Sequence, residues 1–182
     1  MVNVRFHPDA GSPGNARFNV LLAEDRPYDN AHWSKLLPRL MKPLGVNSYI
    51  VHSGEEAFDL AERTTIHAAV VDLATPRSTV EAEDPATNTA SGMPGGLWIL
   101  ELFQRLQNSP PVVLVRSKAI VERDINRLLR DALRLGAFTV LENPVQMENL
   151  LAVFQRLLDR QYDGHWPNMM GQPPSPETEH DN

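Results

Sequence analysis

Val112-Val113-Leu114-Val115 is an unbroken apolar run preceded by two prolines, Pro110 and Pro111. A strand with no polar position has no side to give to water, so it must be covered on both faces, and such strands belong to parallel sheets. Working outward, short apolar runs alternate with amphipathic stretches. Upstream, Leu97 to Leu106 carries Leu97, Leu100, Phe103 and Leu106 at helical spacing. Before it, His67 to Val71 is a second compact apolar run, ending in Asp72, and Val46 to Val51 is rich in β-formers. Between these two, Ser53 and Glu56 stand three apart at the head of Ala57, Phe58, Leu60 and Ala61, the pattern of a capping box. Phe18 to Ala23 reads as the first strand and stops abruptly at Glu24, Asp25 and Pro27. His32 to Leu44 follows as a helix that Pro38 and Pro43 threaten to kink or split. Downstream, Val121, Ile125, Leu128, Leu129 and Ala132 mark one helix face, with Gly136 where a C-terminal cap belongs. Ala137 to Leu141 is a fifth strand, and Met147, Leu150, Leu151, Phe154, Leu157 and Leu158 form a clean apolar stripe. The alternation predicts an α/β protein with three layers, a doubly wound five-stranded parallel sheet between helices.

Composition narrows the function classes. The 182 residues include no cysteine, which excludes disulfides, thiolate metal sites and cysteine nucleophiles. Seventeen basic against 23 acidic residues give a net charge of -6, the wrong sign for a chain devoted to the phosphate backbone of nucleic acid. No apolar run reaches the roughly 18 residues that span a bilayer, so no membrane partner is expected and a cytoplasmic location is. The 15 prolines punctuate the ends and the interior. Residues 1–17 read as a disordered arm, 161–182 as a disordered Pro-rich tail, and 77–94, rich in Thr, Ser, Ala and acids, as a loop inserted in one domain over 18–160. The loop suits a lid over the acidic edge and a passive insertion equally well.

In a doubly wound sheet, ligands gather beyond the carboxyl ends of the strands. The chain puts acids at that edge: Glu24 and Asp25 end the first strand, and Asp72 ends the third. Three carboxylates together repel one another unless a divalent cation, a basic side chain or a raised pKa offsets the repulsion, and an oxygen-only donor set suits magnesium.

These pieces resemble the receiver domain of two-component response regulators. The resemblance rests on Leu21-Leu22-Ala23-Glu24-Asp25-Arg26-Pro27, on Val70-Val71-Asp72-Leu73-Ala74-Thr75-Pro76, on Gly96-Leu97 at the third helix, on Gly136-Ala137 before the fifth strand and on Asn143-Pro144 after it. It covers residues 18–160, the size of a single small domain once 77–94 is set aside. It implies the flavodoxin-like strand order 2-1-3-4-5. It also implies that Asp72 accepts a phosphoryl group from a histidine kinase or phosphotransfer protein. Magnesium would then be held directly by Asp25, through water by Glu24, and by Asp72 and the Ala74 backbone carbonyl. The chemistry is coherent, because a carboxylate attacks phosphorus readily only when a metal offsets the charge of the incoming oxygens.

The chain departs from the family at three positions. The lysine expected before the last proline is Asn143, so a fixed positive charge is missing. The hydroxyl residue expected at the end of the fourth strand is replaced in register by Arg116, with Ser117 one step later. Arg116 is a long cation able to lean over the acids and replace part of the lost charge. The aromatic switch position is Val140. Asp72, Arg116, Ser117 and Asn143 are therefore the expected phosphate-contacting set. His32, His52, His67 and His165 show no ligand spacing and read as surface or satisfied core residues. Trp98 and Phe103 read as core.

Three functions follow in order. The first is a stand-alone receiver that acts on a downstream protein by contact, since no output domain follows Arg160, with a homodimer through the Val121–Leu158 face also implied. The second is a pseudo-receiver that works as an interaction module without phosphate. The third is an aspartate-nucleophile phosphatase of the haloacid-dehalogenase type. That enzyme needs a general acid two residues after the nucleophile, where this chain has Ala74, so no enzymatic activity is expected.

Overall fold

The computed structural model describes residues 18–24, 32–78, 93–116 and 122–162, with the backbone alone described over 122–124. The expected arm, most of the inserted loop and the tail from residue 163 lie outside the described residues, as do Asp25 and Ser117.

The chain runs β1 (Phe18–Ala23), α1 (Trp33–Met41), β2 (Val46–Val51), α2 (Gly54–Arg63), β3 (Ala68–Asp72), α3 (Gly95–Phe103), β4 (Val112–Arg116), α4 (Glu122–Arg134), β5 (Thr139–Glu142) and α5 (Met147–Gln161). All described strand pairs are parallel, in the order β2-β1-β3-β4-β5 expected from the sequence. Alternation along the strands divides the interior into two cores. Phe18, Val20, Leu22, Ala68, Val70, Val113 and Val115 pack against α1 and α5. Leu21, Ala23, Ala69, Val71, Val112 and Leu114 pack against α2, α3 and α4. Every residue of β3 is buried, which is why its sequence lacks a polar face. Each fully buried Leu, Val or Phe contributes about 1.5–3 kcal/mol relative to exposure.

Element ends show where local chemistry prevailed. The first helix passes through Pro38 and stops at Met41. Pro43 then forces a tight turn over Lys42–Leu44, closed by the Gly45 N–H on Lys42 O. Ser53 caps α2 by accepting the Glu56 N–H on Oγ at 3.2 Å, while the Glu56 carboxylate takes the His52 N–H at 2.8 Å, one residue before the cap. The remaining free amides of that end are met by tertiary contacts, Gly54 N–H to Pro76 O and Glu55 N–H to Arg77 O, both at 2.9 Å. Gly136 closes α4 at a φ of 78°, a left-handed conformation that costs glycine nothing, with Ala137 N–H reaching back to Ala132 O at 2.9 Å.

The amino-terminal edge of the sheet is held by an aromatic group. The last helix extends to Gln161, beyond the last residue of its apolar stripe, and Tyr162 follows it into the core rather than opening the tail. The Tyr162 hydroxyl donates to His67 O at 2.7 Å, and its ring stands edge-on to Phe18, which stacks on His67. Burial pushes the phenol up to about 12, so it stays a donor throughout the physiological range. Burial also lowers the pKa of His67 below its ordinary 6.5. The Asn19 N–H, donated to His67 Nδ1 at 2.9 Å, acts in the same direction because it needs the neutral ring's lone pair. A proton therefore binds the unfolded chain more readily than the folded one. The folded state should lose stability as pH falls from about 6.5 toward the lowered pKa of His67. Urea denaturation at pH 7.5 and 5.5 checks this: the loss should be smaller in His67→Gln, which keeps an acceptor that does not titrate, and equal losses would remove His67 from the account.

Candidate functional site

The ladder between β1 and β3 runs through Ala23↔Val71, so the next residues on the two strands, Glu24 and Asp72, stand side by side at the carboxyl edge. Both share the parity of Leu22 and Val70 and so belong to the face covered by α1 and α5. Both are buried, at 1% and 5% exposure. Two ionised carboxylates in such a corner repel one another, and each needs hydrogen bonds or a cation to offset desolvation.

The two acids meet that need differently. Asp72 accepts the Ala74 N–H on Oδ1 at 2.8 Å, while its backbone carbonyl accepts the Thr75 N–H at 3.0 Å. The turn leaving β3 thus holds the carboxylate by local bonds. Leu73 N–H continues the ladder to Val115 O at 2.9 Å, which keeps β3 straight to its last residue. Glu24 is fixed through its backbone, by N–H to Val51 O at 3.1 Å. Its side-chain Oε2 is buried with no hydrogen-bond partner. His32 Nδ1 lies 3.2 Å from that oxygen but misaligned for a hydrogen bond, its polar partner being Ser34 Oγ at 2.9 Å.

The third helix presses on this turn. A Cβ at Gly96 would fall 2.6 Å from both Asp72 O and Leu73 Cα, closer than any side chain can approach. The Gly96 N–H donates to Leu73 O at 3.3 Å, so the start of α3 acts as a backstop behind Asp72. This explains why α3 begins at Gly95, two residues before the periodic apolar positions start.

Of the residues singled out from the sequence, Glu24, Asp72 and Ala74 come together at the edge of β1 and β3. Arg116 reaches the carboxyl end of β4 but turns away from the acids. Its register partner on β5 is Glu142, and Nη1 bonds Glu142 Oε1 at 3.1 Å. The nearest carboxylate across the ladder takes the guanidinium. Glu142 is 81% exposed, so the pair is solvated and contributes about 0–1 kcal/mol. Asn143 follows β5, half-buried, with a cis bond to Pro144. Val140 lies against the α2–α4 core. Trp98 stands half-buried over Gly54, and Phe103 is fully buried, as expected of core residues. His32, read from the sequence as a surface or satisfied core residue, stands against Glu24: the two are eight positions apart, and no ligand spacing links them. Among the described residues no three His, Asp or Glu side chains converge on one point. The buried Glu24 oxygen beside Asp72, without a hydrogen-bond partner though within ion-pair reach of His32, is nevertheless a donor of the kind a hard divalent cation takes.

Comparison with solved structures assigns the architecture. The receiver domain of a sensor histidine kinase from Pseudomonas aeruginosa, crystallised with a magnesium ion in its active-site cleft, matches at a TM-score of 0.55 and 20% identity, over 78% of this chain and 97% of that one. The signal receiver domain of an HD domain-containing protein from Pseudomonas fluorescens matches at 0.61 and 16%, over 81% and 98%. A sensor protein from Polaromonas matches at 0.57 and 23%, over 79% and 97%. The fold is that of a receiver domain. No family model matches the sequence, and no curated protein does. At these identities the receiver likeness is one of fold, and the Glu24–Asp72 corner occupies the carboxyl edge of that fold.

The contact between α3 and the β3 exit makes a specific demand on Gly96. Gly96→Ala should destabilise the protein by about 1–3 kcal/mol, the cost of forcing extra volume into a filled site. Chemical denaturation checks this, and an unchanged midpoint would show that α3 does not brace the Asp72 turn.

Proposed function

We propose that the chain is a response-regulator-like signalling protein in which Asp72 receives a phosphoryl group and output is made by contact with another protein. The observation that carries this reading is the pairing of Asp72 with Glu24 at the edge of β1 and β3, with a buried Glu24 oxygen that has no hydrogen-bond partner. A carboxylate left so is poorly solvated by the protein alone, and a cation relieves it. Magnesium would be held there by Glu24, Asp25, Asp72 and the Ala74 carbonyl; when bound it supplies the positive charge that lets a carboxylate and a phosphoryl group approach. Asp72 oxygen would attack phosphorus as the bond to the donor histidine nitrogen breaks, the electron pair leaving with that nitrogen. The partners on this reading are a histidine kinase or phosphotransfer protein, a downstream protein and, through the Val121–Leu158 face, a second copy of the chain. The proposed location is the cytoplasm; no helix among the described residues is long and apolar enough to cross a membrane.

The proposal includes no enzymatic turnover. An aspartate-nucleophile phosphatase would need an acid where Ala74 stands, and what Ala74 gives Asp72 is its backbone N–H. A second reading, a pseudo-receiver that binds partners without phosphate, is favoured by Arg116, which is held by Glu142 rather than by the acids, and by Asn143 in place of a cation. The two readings separate in one experiment. Incubation with acetyl phosphate and magnesium should add a phosphoryl mass to the wild-type protein but not to Asp72→Asn. No adduct under conditions that label an intact receiver would discard phosphoacceptance and leave the pseudo-receiver.

A further inference from the structure

The sheet has two edges, and they are finished differently. β5 is four residues long, ends in Glu142 with Arg116 across the ladder, and runs straight into Asn143 and Pro144, so charge and proline blunt it against further pairing. β2 has none of these devices. Val46-Asn47-Ser48-Tyr49-Ile50-Val51 contains no charge and no proline, and its register with β1 runs unbroken from Phe18↔Val46 to Ala23↔Val51, which leaves no bulge. Val51 O accepts the Glu24 N–H, so the backbone groups of Val51, and by parity those of Tyr49 and Asn47, point to β1. Those of Ser48 and Ile50 point outward, and no described strand lies beyond them. The next outward N–H, at His52, is taken by the Glu56 carboxylate, which ends the open stretch. Ile50 is 43% exposed, one of three large apolar side chains so placed among the described residues.

We infer that β2 is the docking edge for an extended segment of another protein, added as a sixth strand, whose alternate side chains are acidic on the α1 side and basic on the α2 side. Charge sets that pattern. α1 and the turn after it lie against β2 on one face and carry Lys35, Arg39 and Lys42 with no acid. α2 lies against β2 on the other face, where Glu55, Glu56, Asp59 and Glu62 outnumber the single base Arg63. Backbone bonds from Ser48 and Ile50 hold the added strand, and the two helices select its side chains. The same charges disfavour a second copy as occupant. Antiparallel pairing of β2 with itself has its two-fold axis normal to the sheet, which sets α1 beside α1 and α2 beside α2 and opposes like charges on both faces. A two-fold axis along the strands would set Ser48 level with Ser48, whereas a parallel ladder pairs a residue whose groups point across with one whose groups point away. The docking edge needs no phosphate at Asp72.

The test is fluorescence anisotropy of the full chain with two labelled synthetic peptides of the same composition around a pair of central valines. In one, glutamate and lysine alternate; in the other, they are segregated into two halves. The alternating peptide should bind about tenfold or more tightly than the segregated one, and less tightly as salt is raised. Ser48→Pro removes an outward donor on an edge strand and leaves the amides that serve β1 in place, so it should weaken binding by about tenfold or more. Methylating the amides of the alternating peptide should do the same without any change to the protein. Arg39→Glu with Lys42→Glu should lower affinity for the alternating peptide several-fold. A wild type that binds neither peptide, binds both equally, or binds the methylated peptide as well as the plain one would overturn the proposal. A molar mass that doubles with concentration in the wild type but not in Ser48→Pro, with no peptide bound, would give the edge to a second copy and overturn it too.

Discussion

Burial of β3 on both faces is the constraint from which the rest of the molecule follows. A strand enclosed on each side by helices can carry no polar group along its length, so Asp72 appears only where the strand meets the edge. The same rule applied to β1 places Glu24 one residue beyond its last paired position. Parallel pairing then brings the two ends together, because the ladder stays in register through Ala23↔Val71 and the next residue of each strand falls side by side. The acid corner is therefore a result of sheet geometry before it is a matter of chemistry.

The opposite edge has a different purpose. Phe18, His67 and Tyr162 close the amino-terminal end with stacked and edge-on rings, and a tyrosine after the last helix bonds a carbonyl just before β3. Among the described residues nothing there resembles a ligand site; it fastens the turn after α5 to the start of β1 and to the residue before β3. The ring cluster and the acid corner are thus separated along the strand axis, one at each end.

Legibility of these features in the sequence followed their range. Strands buried on both faces, the stripe of α5, the Ser53 cap and the left-handed Gly136 are local, and their positions could be read directly. The α1 boundary was harder, since a proline inside a helix and a proline ending one look alike in sequence; Pro38 was tolerated and Pro43 was not. The start of α3 at Gly95 answers to a backbone contact with β3, which no periodicity encodes. At the site, Glu24 and Asp72 were visible as acids after apolar runs. Two facts were hidden because they depend on what lies across space: that Arg116 is taken by Glu142, and that His32 meets Glu24.

The chain leaving β3 is stitched down on both sides of the excursion that follows. Pro76 and Arg77 give their carbonyls to the first amides of α2, and the Arg77 guanidinium donates to Met93 O at 3.3 Å, joining the outgoing strand of chain to the returning one. Two backbone hydrogen bonds and a side-chain clasp thus hold Pro76, Arg77 and Met93 together at the exit of β3, so the turn that carries Asp72 is tied to α2 as firmly as Gly96 ties it to α3.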